Sequence, residues 1–332
     1  MEKNSSFEKC KVIAEKIKKE AEKRLIGQDK LITDILTAFI AGGHILLEGV
    51  PGLAKTLAVK TFSEIMDLDF KRIQFTPDLL PADVTGTLIY EQNTGKFSVR
   101  KGPVFANVVL ADEINRAPAK VQSAMLEAME ERQVTIGEET YPLPSPFFVR
   151  ATQNPVEQEG TYNLPEAELD RFLMKTIISY PQAENEKLIV KTAGKAPEVP
   201  VNRVLTAKDA LEMRTLSESV NFDDKLLDYI VSILSVTRPT SHTGVINHTQ
   251  AANHDITRYI TFGASPRAGI ALLQCAKVTA MLQGRDFVIP EDIKANALSV
   301  LRHRIILSYE AAADNITADE IISRILDVIP LP

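Results

Sequence analysis

The chain has 332 residues, of which 45% are apolar and 25% are charged, and its formal net charge is −6. This balance does not favour nucleic acid as a partner, since polyanions bind where positive charge accumulates. Cys10 and Cys275 fit no disulfide or metal spacing, and no apolar run reaches the about 20 residues that a membrane span needs. We therefore expect a soluble, cytoplasmic protein of about two domains with no membrane span.

The first half of the chain predicts helices and strands in alternation. Residues 7–24 repeat apolar positions at helical spacing, and a second such helix follows Gly27-Gln28-Asp29. A third helix is expected from Lys55 to about Met66. Because short buried strands separated by helices form parallel sheets covered on both faces, we expect an α/β core. The short apolar runs that predict its strands are residues 45–47, 107–111 and 147–151.

Two predicted hairpins interrupt this alternation, and helices dominate the second half. Residues 83–103 alternate around Asn93-Thr94-Gly95, a hairpin turn signal, and residues 132–146 indicate a second hairpin. Near the end of the chain, Thr317-Ala318-Asp319-Glu320 is a capping box that opens a helix. The sequence thus predicts two domains: an N-terminal helix plus an α/β domain with inserted hairpins over residues 1–182, and a helical domain over residues 183–332.

The segment that follows the first predicted strand reads Gly-Val-Pro-Gly-Leu-Ala-Lys-Thr. A glycine-bearing turn between a strand and a helix presents backbone N–H groups to an anion. Lys55 would contact the β- and γ-phosphates of a nucleotide, and the Thr56 hydroxyl would bind Mg²⁺. Ala54 replaces a usual glycine, but a residue in right-handed helical geometry tolerates a methyl group. The residues that we expect at the phosphates are Gly49, Val50, Pro51, Gly52, Leu53, Ala54, Lys55, Thr56 and Leu57.

Acidic and amide side chains end the next two predicted strands. Asp112 and Glu113 would lie at the carboxyl edge of the sheet, where ligands of open α/β folds bind. Asp112 would hold Mg²⁺ through its waters, and Glu113 would orient and polarise the attacking water. Asn154 follows the third predicted strand and can bond the γ-phosphate or the attacking water.

Five motifs in this order resemble the MoxR family of AAA+ ATPases. They are residues 49–56, Asp112-Glu113-Ile114-Asn115-Arg116, the strand ending at Asn154, residues 164–172 and Gly263-Ala264-Ser265-Pro266-Arg267. The likeness runs from Ile26 to the last helices, and Ala54 is itself typical of the family's loop. The resemblance implies a P-loop NTPase core with a parallel sheet, followed by an all-α lid, and hydrolysis of ATP with Mg²⁺.

The resemblance also implies a role for each matched residue. Lys55 and Thr56 match the Walker A pair, and Asp112 and Glu113 match the Walker B pair. Further roles follow the same match: Asn154 as sensor 1, Arg267 as sensor 2 on the γ-phosphate, Ile26 and Gly27 at the adenine pocket, and the two hairpins as the helix-2 insert and the pre-sensor-1 hairpin. In this superfamily such insertions face the substrate side of a ring.

Arg171 matches the arginine finger, which in this superfamily reaches into the neighbouring subunit's site. A guanidinium supplied in trans can raise the hydrolysis rate by about 10³–10⁵. We therefore expect a hexameric ring as the active form. The alternative is that Arg171 only forms a local ion pair, for which Asp170 is the adjoining candidate. For Arg116, a contact in trans and a local structural role both stay open.

The resemblance favours an ATPase that remodels or matures client proteins, with partners that carry a von Willebrand factor A domain. One alternative is an AAA+ motor on DNA, which the negative net charge and the few basic residues of the hairpins disfavour. Another is an ATP-gated scaffold with little turnover, against which Glu113 argues. His242, His248 and His254 are spaced six residues apart in a polar segment, which favours a surface loop over a metal site.

Overall fold

The computed structural model describes residues 2–50, 55–155, 161–162, 164–192, 195, 198–239 and 256–332. These residues form two compact units. The first contains Ile13–Phe172 and Thr176–Glu212, and the second contains the start of the chain up to Val12, Leu173–Lys175 and the chain from Met213 onward. The histidines at 242, 248 and 254 lie outside the described residues.

A five-stranded sheet is the centre of the first unit. Its strands are β1 (Ile45–Glu48), β2 (Phe70–Gln74), β5 (Val108–Asp112), β8 (Phe148–Gln153) and β9 (Met174–Ile177), and their order is β2-β5-β8-β1-β9. The pairs β2–β5, β5–β8 and β1–β8 are parallel. This order brings the ends of β5, β8 and β1 together at the carboxyl edge of the sheet.

Helices cover both faces of this sheet. The helices of the first unit are α1 (Glu2–Glu22, whose residues up to Val12 belong to the second unit), α2 (Asp29–Ile40), α3 (Lys55–Ile65), α4 (Pro81–Thr85), α5 (Ala119–Glu131), α6 (Glu166–Leu169) and α7 (Ala183–Lys191). Successive side chains of a strand point to opposite faces. In β8, Val149 joins the apolar cluster that includes Met125 of α5. Phe148 instead meets Phe39 of α2, with ring centroids 5.4 Å apart. The expected α/β core is therefore present.

Two hairpins extend from this core. One pairs β3 (Gly86–Glu91) with β4 (Lys96–Lys101), and the other pairs β6 (Gln133–Ile136) with β7 (Glu139–Pro142). The turn of the first contains Asn93-Thr94-Gly95, and Gly95 has a positive φ of 65°, which the absence of a Cβ permits. A short 3₁₀ turn, Ile114–Arg116, follows β5.

The second unit is mainly helical. Its elements are α8 (Ala207–Glu218, whose start belongs to the first unit), α9 (Asp224–Val236), α10 (Pro266–Leu282), α11 (Pro290–Leu301), α12 (Tyr309–Ala313), α13 (Ala318–Val328) and the short pair β10 (Ile260–Phe262) and β11 (Ile306–Leu307). The capping box at Thr317 is present, with both reciprocal hydrogen bonds formed. Among the helices of the described ranges, none has the length and hydropathy of a membrane span.

The structure adds features that the sequence patterns did not indicate. Strands β2 and β9 were not predicted. The segment Thr176–Glu212 belongs to the first unit, and the domain boundary expected at residue 182 stays a prediction. The backbone N–H of Val204 donates to the carbonyl of Ile65 at 2.8 Å, and Arg24 donates to the carbonyl of Val199 at 2.6 Å.

Candidate functional site

The loop between β1 and α3 starts beside the tip of β8. Residues 51–54 lie outside the described residues, so the geometry concerns the two ends of the loop. The Gly49 N–H faces the carbonyl of Gln153 at 3.4 Å, and the Lys55 Nζ donates to the carbonyl of Gly49 at 2.6 Å. A Cβ at Gly49 would lie 3.0 Å from the carbonyl oxygen of Ile178, so a side chain there would crowd the neighbouring backbone. Lys55 thus lies with its ammonium at the start of the loop, at the carboxyl edge of the sheet.

Thr152 of β8 joins the two acidic residues that end β5. Its hydroxyl donates to Asp112 Oδ1 at 2.6 Å and accepts a hydrogen bond from the backbone N–H of Glu113 at 2.8 Å. Asp112 is only 8% exposed, and Thr152 is fully buried. A hydroxyl is both donor and acceptor, which allows this one side chain to fix the carboxylate of one residue and the backbone of the next.

Glu113 has a left-handed backbone conformation, with φ 57° and ψ 50°. This region is uncommon for residues other than glycine, and such strain persists where neighbouring structure imposes it. The side chain is held as well, because Glu113 Oε2 accepts hydrogen bonds from Gln74 Nε2 at 2.9 Å and from Arg116 Nη1 at 3.0 Å. Arg116 therefore has a local contact within its own chain, one of the two roles left open by the sequence.

Arg72 of the edge strand β2 binds the other carboxylate. Its Nε and Nη2 donate to the same oxygen, Asp112 Oδ2, at 3.0 and 2.6 Å. The Nη2 also donates to Gln74 Oε1 at 2.7 Å. The Arg72 side chain is 49% exposed, whereas that of Asp112 is 11% exposed. Arg72 and Gln74 of β2 thus contact both acidic residues of the site from the edge of the sheet.

Arg150 lies on the same face of the sheet as Thr152, in the register row that contains Arg72. It pairs in register with Leu110 of β5 and Ile45 of β1, two residues before Thr152 in β8. The guanidinium is fully buried, and its Cζ lies 5.6 Å from the ring centroid of Phe62. None of its three nitrogens has a hydrogen-bond partner among the described residues. Burial lowers the pKa of Arg150 to about 9.

Asn154 and the segment at Ile26 and Gly27 complete the expected residues of the first unit. Asn154 is 3% exposed and directly follows β8. Gly27 has a positive φ of 69°, and a Cβ there would lie 2.2 Å from Nδ2 of Asn185. Asn185 of α7 is therefore a further residue at the position expected for the adenine pocket.

Arg171 forms an ion pair within its own chain. Its Nε donates to Glu130 Oε2 of α5 at 2.8 Å, and both side chains are partly exposed, at 30% and 42%. The adjoining Asp170 was the local candidate from the sequence, whereas the ion-pair partner of Arg171 is Glu130, 41 positions away. An exposed pair of this kind contributes only about 0–1 kcal/mol, so it exchanges easily for another partner.

In the second unit, Arg267 lies in the first turn of α10. Gly263, in the same motif, passes so close to the end of α9 that a Cβ would lie 2.3 Å from the carbonyl oxygen of Thr237. The Thr237 hydroxyl accepts a hydrogen bond from the N–H of Ala264 at 3.0 Å, and Arg238 Nε donates to the carbonyl of Ala264 at 3.1 Å. The glycine and the backbone contacts therefore fix the direction in which α10 starts.

Sequence reasoning missed Arg72, Gln74, Thr152 and Arg150. Only Ile73 and no other residue of β2 is buried, so the strand lacks the apolar pattern that marked the other strands. A usable signal existed for Arg150, because an arginine within an otherwise apolar strand run is rare unless it is paired. Within the described ranges no cluster of three or more histidine, cysteine or acidic residues forms a metal site.

Comparisons with known proteins agree with this geometry. The family model described as ATPase family associated with various cellular activities (AAA) matches residues 44–174, and the AAA lid domain model matches residues 253–325. The chain is 46% identical to Chaperone MoxR1 of Mycobacterium tuberculosis over 94% of this chain and 81% of that protein. It is 43% identical to the uncharacterized protein YeaC of Bacillus subtilis over 93% and 91%.

More distant and structural relatives give the same result. Protein MoxR of Methylorubrum extorquens is 29% identical over 96% of this chain and 95% of that protein. A crystal structure from Cytophaga hutchinsonii, of a protein with a provisional ATPase designation, superposes with a TM-score of 0.88 at 47% identity and covers 99% of this chain and 97% of that one. The predicted family, fold class and ATPase activity are thereby confirmed: the chain belongs to the MoxR family of AAA+ ATPases.

Proposed function

We propose that this chain is a Mg²⁺-dependent ATPase that works as a hexameric ring and remodels client proteins together with partners that carry a von Willebrand factor A domain. The observation that supports the catalytic part best is the hydroxyl of Thr152, which fixes Asp112 and the backbone of Glu113 at the carboxyl edge of the sheet. The site residues named from the sequence are proposed in the same roles, including Asn154 and Arg267.

The donor set at this edge suits Mg²⁺. Asp112 offers a buried carboxylate and Thr56, in the first turn of α3, offers a hydroxyl. Magnesium prefers such hard oxygen ligands, usually one or two protein groups together with water and phosphate oxygens. Bound there with ATP, the ion would neutralise charge on the phosphates. The chain's own task is to position the donors, which Thr152 does for Asp112.

Glu113 is the proposed base that orients and polarises the attacking water. Its backbone N–H is fixed by Thr152, and its carboxylate is held by Gln74 and Arg116. Proton transfer to a positioned carboxylate typically contributes about 10²–10⁴-fold in rate. Both hydrogen bonds fall on Oε2, so the other carboxylate oxygen, Oε1, can accept a proton from water without breaking either of them.

The variant Glu113→Gln tests this role. It keeps the shape of the side chain, so we expect ATP affinity within about twofold of wild type and a loss of turnover of about 10²–10⁴-fold. Fluorescent nucleotide titration and steady-state phosphate release measure the two quantities. Glu212→Gln is the matched control, because it makes the same change at an exposed carboxylate that pairs only loosely with Lys208 on the surface. Unchanged turnover in Glu113→Gln would refute the assignment.

Arg171 is proposed to act in the site of the neighbouring subunit. In the single chain it is held by Glu130, an exposed contact that a triphosphate can replace at little cost. Phosphoryl transfer depends mainly on positioning and charge stabilisation, so a guanidinium delivered at the interface would couple turnover to assembly. A strictly monomeric preparation should then be nearly inactive.

Mixing two inactive variants separates action in trans from action in cis. Lys55→Ala lacks nucleotide binding but keeps Arg171, and Arg171→Ala keeps Lys55. In a randomly mixed ring, about one interface in four joins an intact site to an intact finger, so about a quarter of wild-type activity should return. The control mixture pairs Arg171→Ala with the double variant Lys55→Ala/Arg171→Ala and should stay inactive. Failure of the first mixture to regain activity, in rings shown to exchange subunits, would refute action in trans.

The β3–β4 hairpin supports a protein client. The rings of Tyr90 and Phe97 lie 5.3 Å apart at an interplanar angle of 58° and are 55% and 68% exposed, so they present an aromatic surface to a partner. Aromatic side chains are enriched at the centre of protein interfaces. A Glu113→Gln trap loaded with ATP should capture a protein that carries a von Willebrand factor A domain. The same trap with Tyr90→Ala/Phe97→Ala should lose it while still binding ATP, and equal capture by both would refute the role of the hairpin.

A further inference from the structure

Arg72 and the proposed metal share one carboxylate. Both Arg72 Nε and Nη2 donate to Asp112 Oδ2, at 3.0 and 2.6 Å, and Thr152 donates to Oδ1. An ionised carboxylate has about four acceptor positions, two on each oxygen. Arg72 therefore occupies both positions on Oδ2. A metal ion, or a water bound to it, would have to bind the remaining acceptor position of Oδ1 or displace the Arg72 guanidinium from Oδ2.

Charge repulsion makes it unfavourable for the Arg72 guanidinium and Mg²⁺ to bind the Asp112 carboxylate at the same time. The guanidinium and a divalent cation carry charge of the same sign, and a carboxylate that is 11% exposed lies where solvent screens such repulsion only weakly. A nearby like charge disfavours the charged state of its neighbour, and here neither cation can lose its charge. The two cations should therefore compete for Asp112 and not share it.

The position of Arg72 allows it to leave. It lies on the edge strand β2, and its side chain is 49% exposed, so its guanidinium can be hydrated after displacement. Its Nη2 can keep the hydrogen bond to Gln74 Oε1, now 2.7 Å long. Arg72 is thus unlike Arg150 in the same row, which is fully buried and has no route to water.

We propose that Arg72 is a displaceable counter-ion of Asp112, which occupies the carboxylate in the metal-free state and sets the concentration of Mg²⁺ needed to load the site. This inference rests on the proposed function, because it takes Asp112 as a metal-binding group. Arg72 acts on metal binding only through its contact with Asp112. Its removal should make the metal bind more tightly and not less.

The test measures the free Mg²⁺ concentration that half-saturates the complex of the full chain with ADP carrying a fluorescent N-methylanthraniloyl group. Arg72→Met should lower this concentration about tenfold. This value is the lower end of the range for charge-assisted hydrogen bonds, because Arg72 is half exposed and solvent weakens its contact with Asp112. Arg72→Lys keeps the charge but loses the paired donors, so its half-saturating Mg²⁺ concentration should lie between those of wild type and Arg72→Met. Circular dichroism establishes that each variant is folded.

Two controls separate this inference from the proposed function. Arg203→Met removes an equally charged surface side chain, paired with Asp67 at 2.8 Å, and should leave the half-saturating concentration within twofold of wild type. Asp112→Asn should raise it strongly. If Asp112→Asn has no effect, the metal assignment itself fails. If Asp112→Asn raises it while Arg72→Met raises it too or leaves it unchanged, Arg72 instead orients Asp112 for the metal, and the counter-ion inference is overturned.

Discussion

Replacing Arg150 by methionine should stabilise the protein. The side chain is fully buried, its Cζ lies 5.6 Å from the Phe62 ring centroid, and none of its three nitrogens has a hydrogen-bond partner among the described residues. Methionine keeps the unbranched length of the side chain and removes the charge. It can fill the same space and keep contact with the Phe62 ring, since thioether sulfur packs favourably against aromatic groups.

The expected gain follows from the cost of burying the charge. Burial lowers the pKa of Arg150 to about 9. An ordinary guanidinium has a pKa well above this value, and at about 1.4 kcal/mol per pKa unit the buried charged form costs on the order of 4 kcal/mol. The contact with Phe62 offsets about 1–2 kcal/mol of this cost. We therefore expect Arg150→Met to raise the free energy of unfolding by about 2–3 kcal/mol, within the about 1–4 kcal/mol known for replaced buried charges.

The gain is measured by denaturant unfolding near pH 8, which compares wild type with Arg150→Met and with the control Arg203→Met.

The pH dependence of stability gives a second check. At pH 10 the unfolded chain still holds the proton of Arg150, whereas the folded chain, with a pKa near 9, has largely released it. The unfolded state then binds more protons, so wild-type stability rises with pH through this range and the advantage of Arg150→Met should shrink by about 1 kcal/mol. A variant less stable than wild type at pH 8 would refute the reasoning.

Three further predictions concern the proposed catalytic residues at the carboxyl edge of the sheet and the second unit. Thr152→Val should lower kcat about 10–100-fold with nucleotide affinity within about twofold, since orientation and not binding is lost; steady-state assays and nucleotide titration check this. Asp292→Asn should destabilise the protein by about 3–5 kcal/mol in thermal unfolding, because Asp292 is 2% exposed and pairs with Arg285 at 2.6 Å. Thr317→Ala should cost about 1 kcal/mol through loss of a helix cap. Separately from this cap, hydrogen bonds from the Thr317 N–H and hydroxyl lower the pKa of the Glu320 carboxyl in the folded chain, so the stabilisation by that carboxylate is lost as pH falls through its pKa. NMR titration should show a higher Glu320 pKa in Thr317→Ala.

Local signals allowed much of the fold to be predicted. The capping box at Thr317 depends on residues three positions apart, and the hairpin turn depends on Asn93-Thr94-Gly95. Both structures form within a few residues, so the sequence pattern contains nearly all of the information. Gly49 and Lys55, at the two ends of the loop after β1, and the acids that end β5 could be placed at one sheet edge because the carboxyl ends of parallel strands meet there.

Contacts between distant residues could not be predicted in this way. Arg72 and Asp112 are 40 positions apart, and Arg171 and Glu130 are 41 apart. Each pair forms only because the strand order or the helix packing brings the two side chains together. Asp170 was the candidate partner for Arg171 because, from the sequence alone, only residues adjacent in the chain are known to be close together. Strand β2 was missed for a related reason: an edge strand with one buried residue has no apolar run to recognise.

Arg72 and Arg150 show how the position in the sheet decides what a charge can do. Both pair in register with Leu110, on opposite sides of it, so their backbones are about 10 Å apart at a strand spacing of about 4.8 Å. Arg72 lies at the edge of the sheet, where water can replace Asp112 as its partner. Arg150 is enclosed, so the burial of its charge lowers the free energy of unfolding. Substitutions this far apart with no shared partner act additively. Arg150→Met should therefore change stability without changing the half-saturating Mg²⁺ concentration, and adding Arg72→Met should lower that concentration by the same factor in both backgrounds. A different factor in the two backgrounds would mean that the buried guanidinium also acts on Asp112, through the electrostatics of the sheet face that the two arginines share.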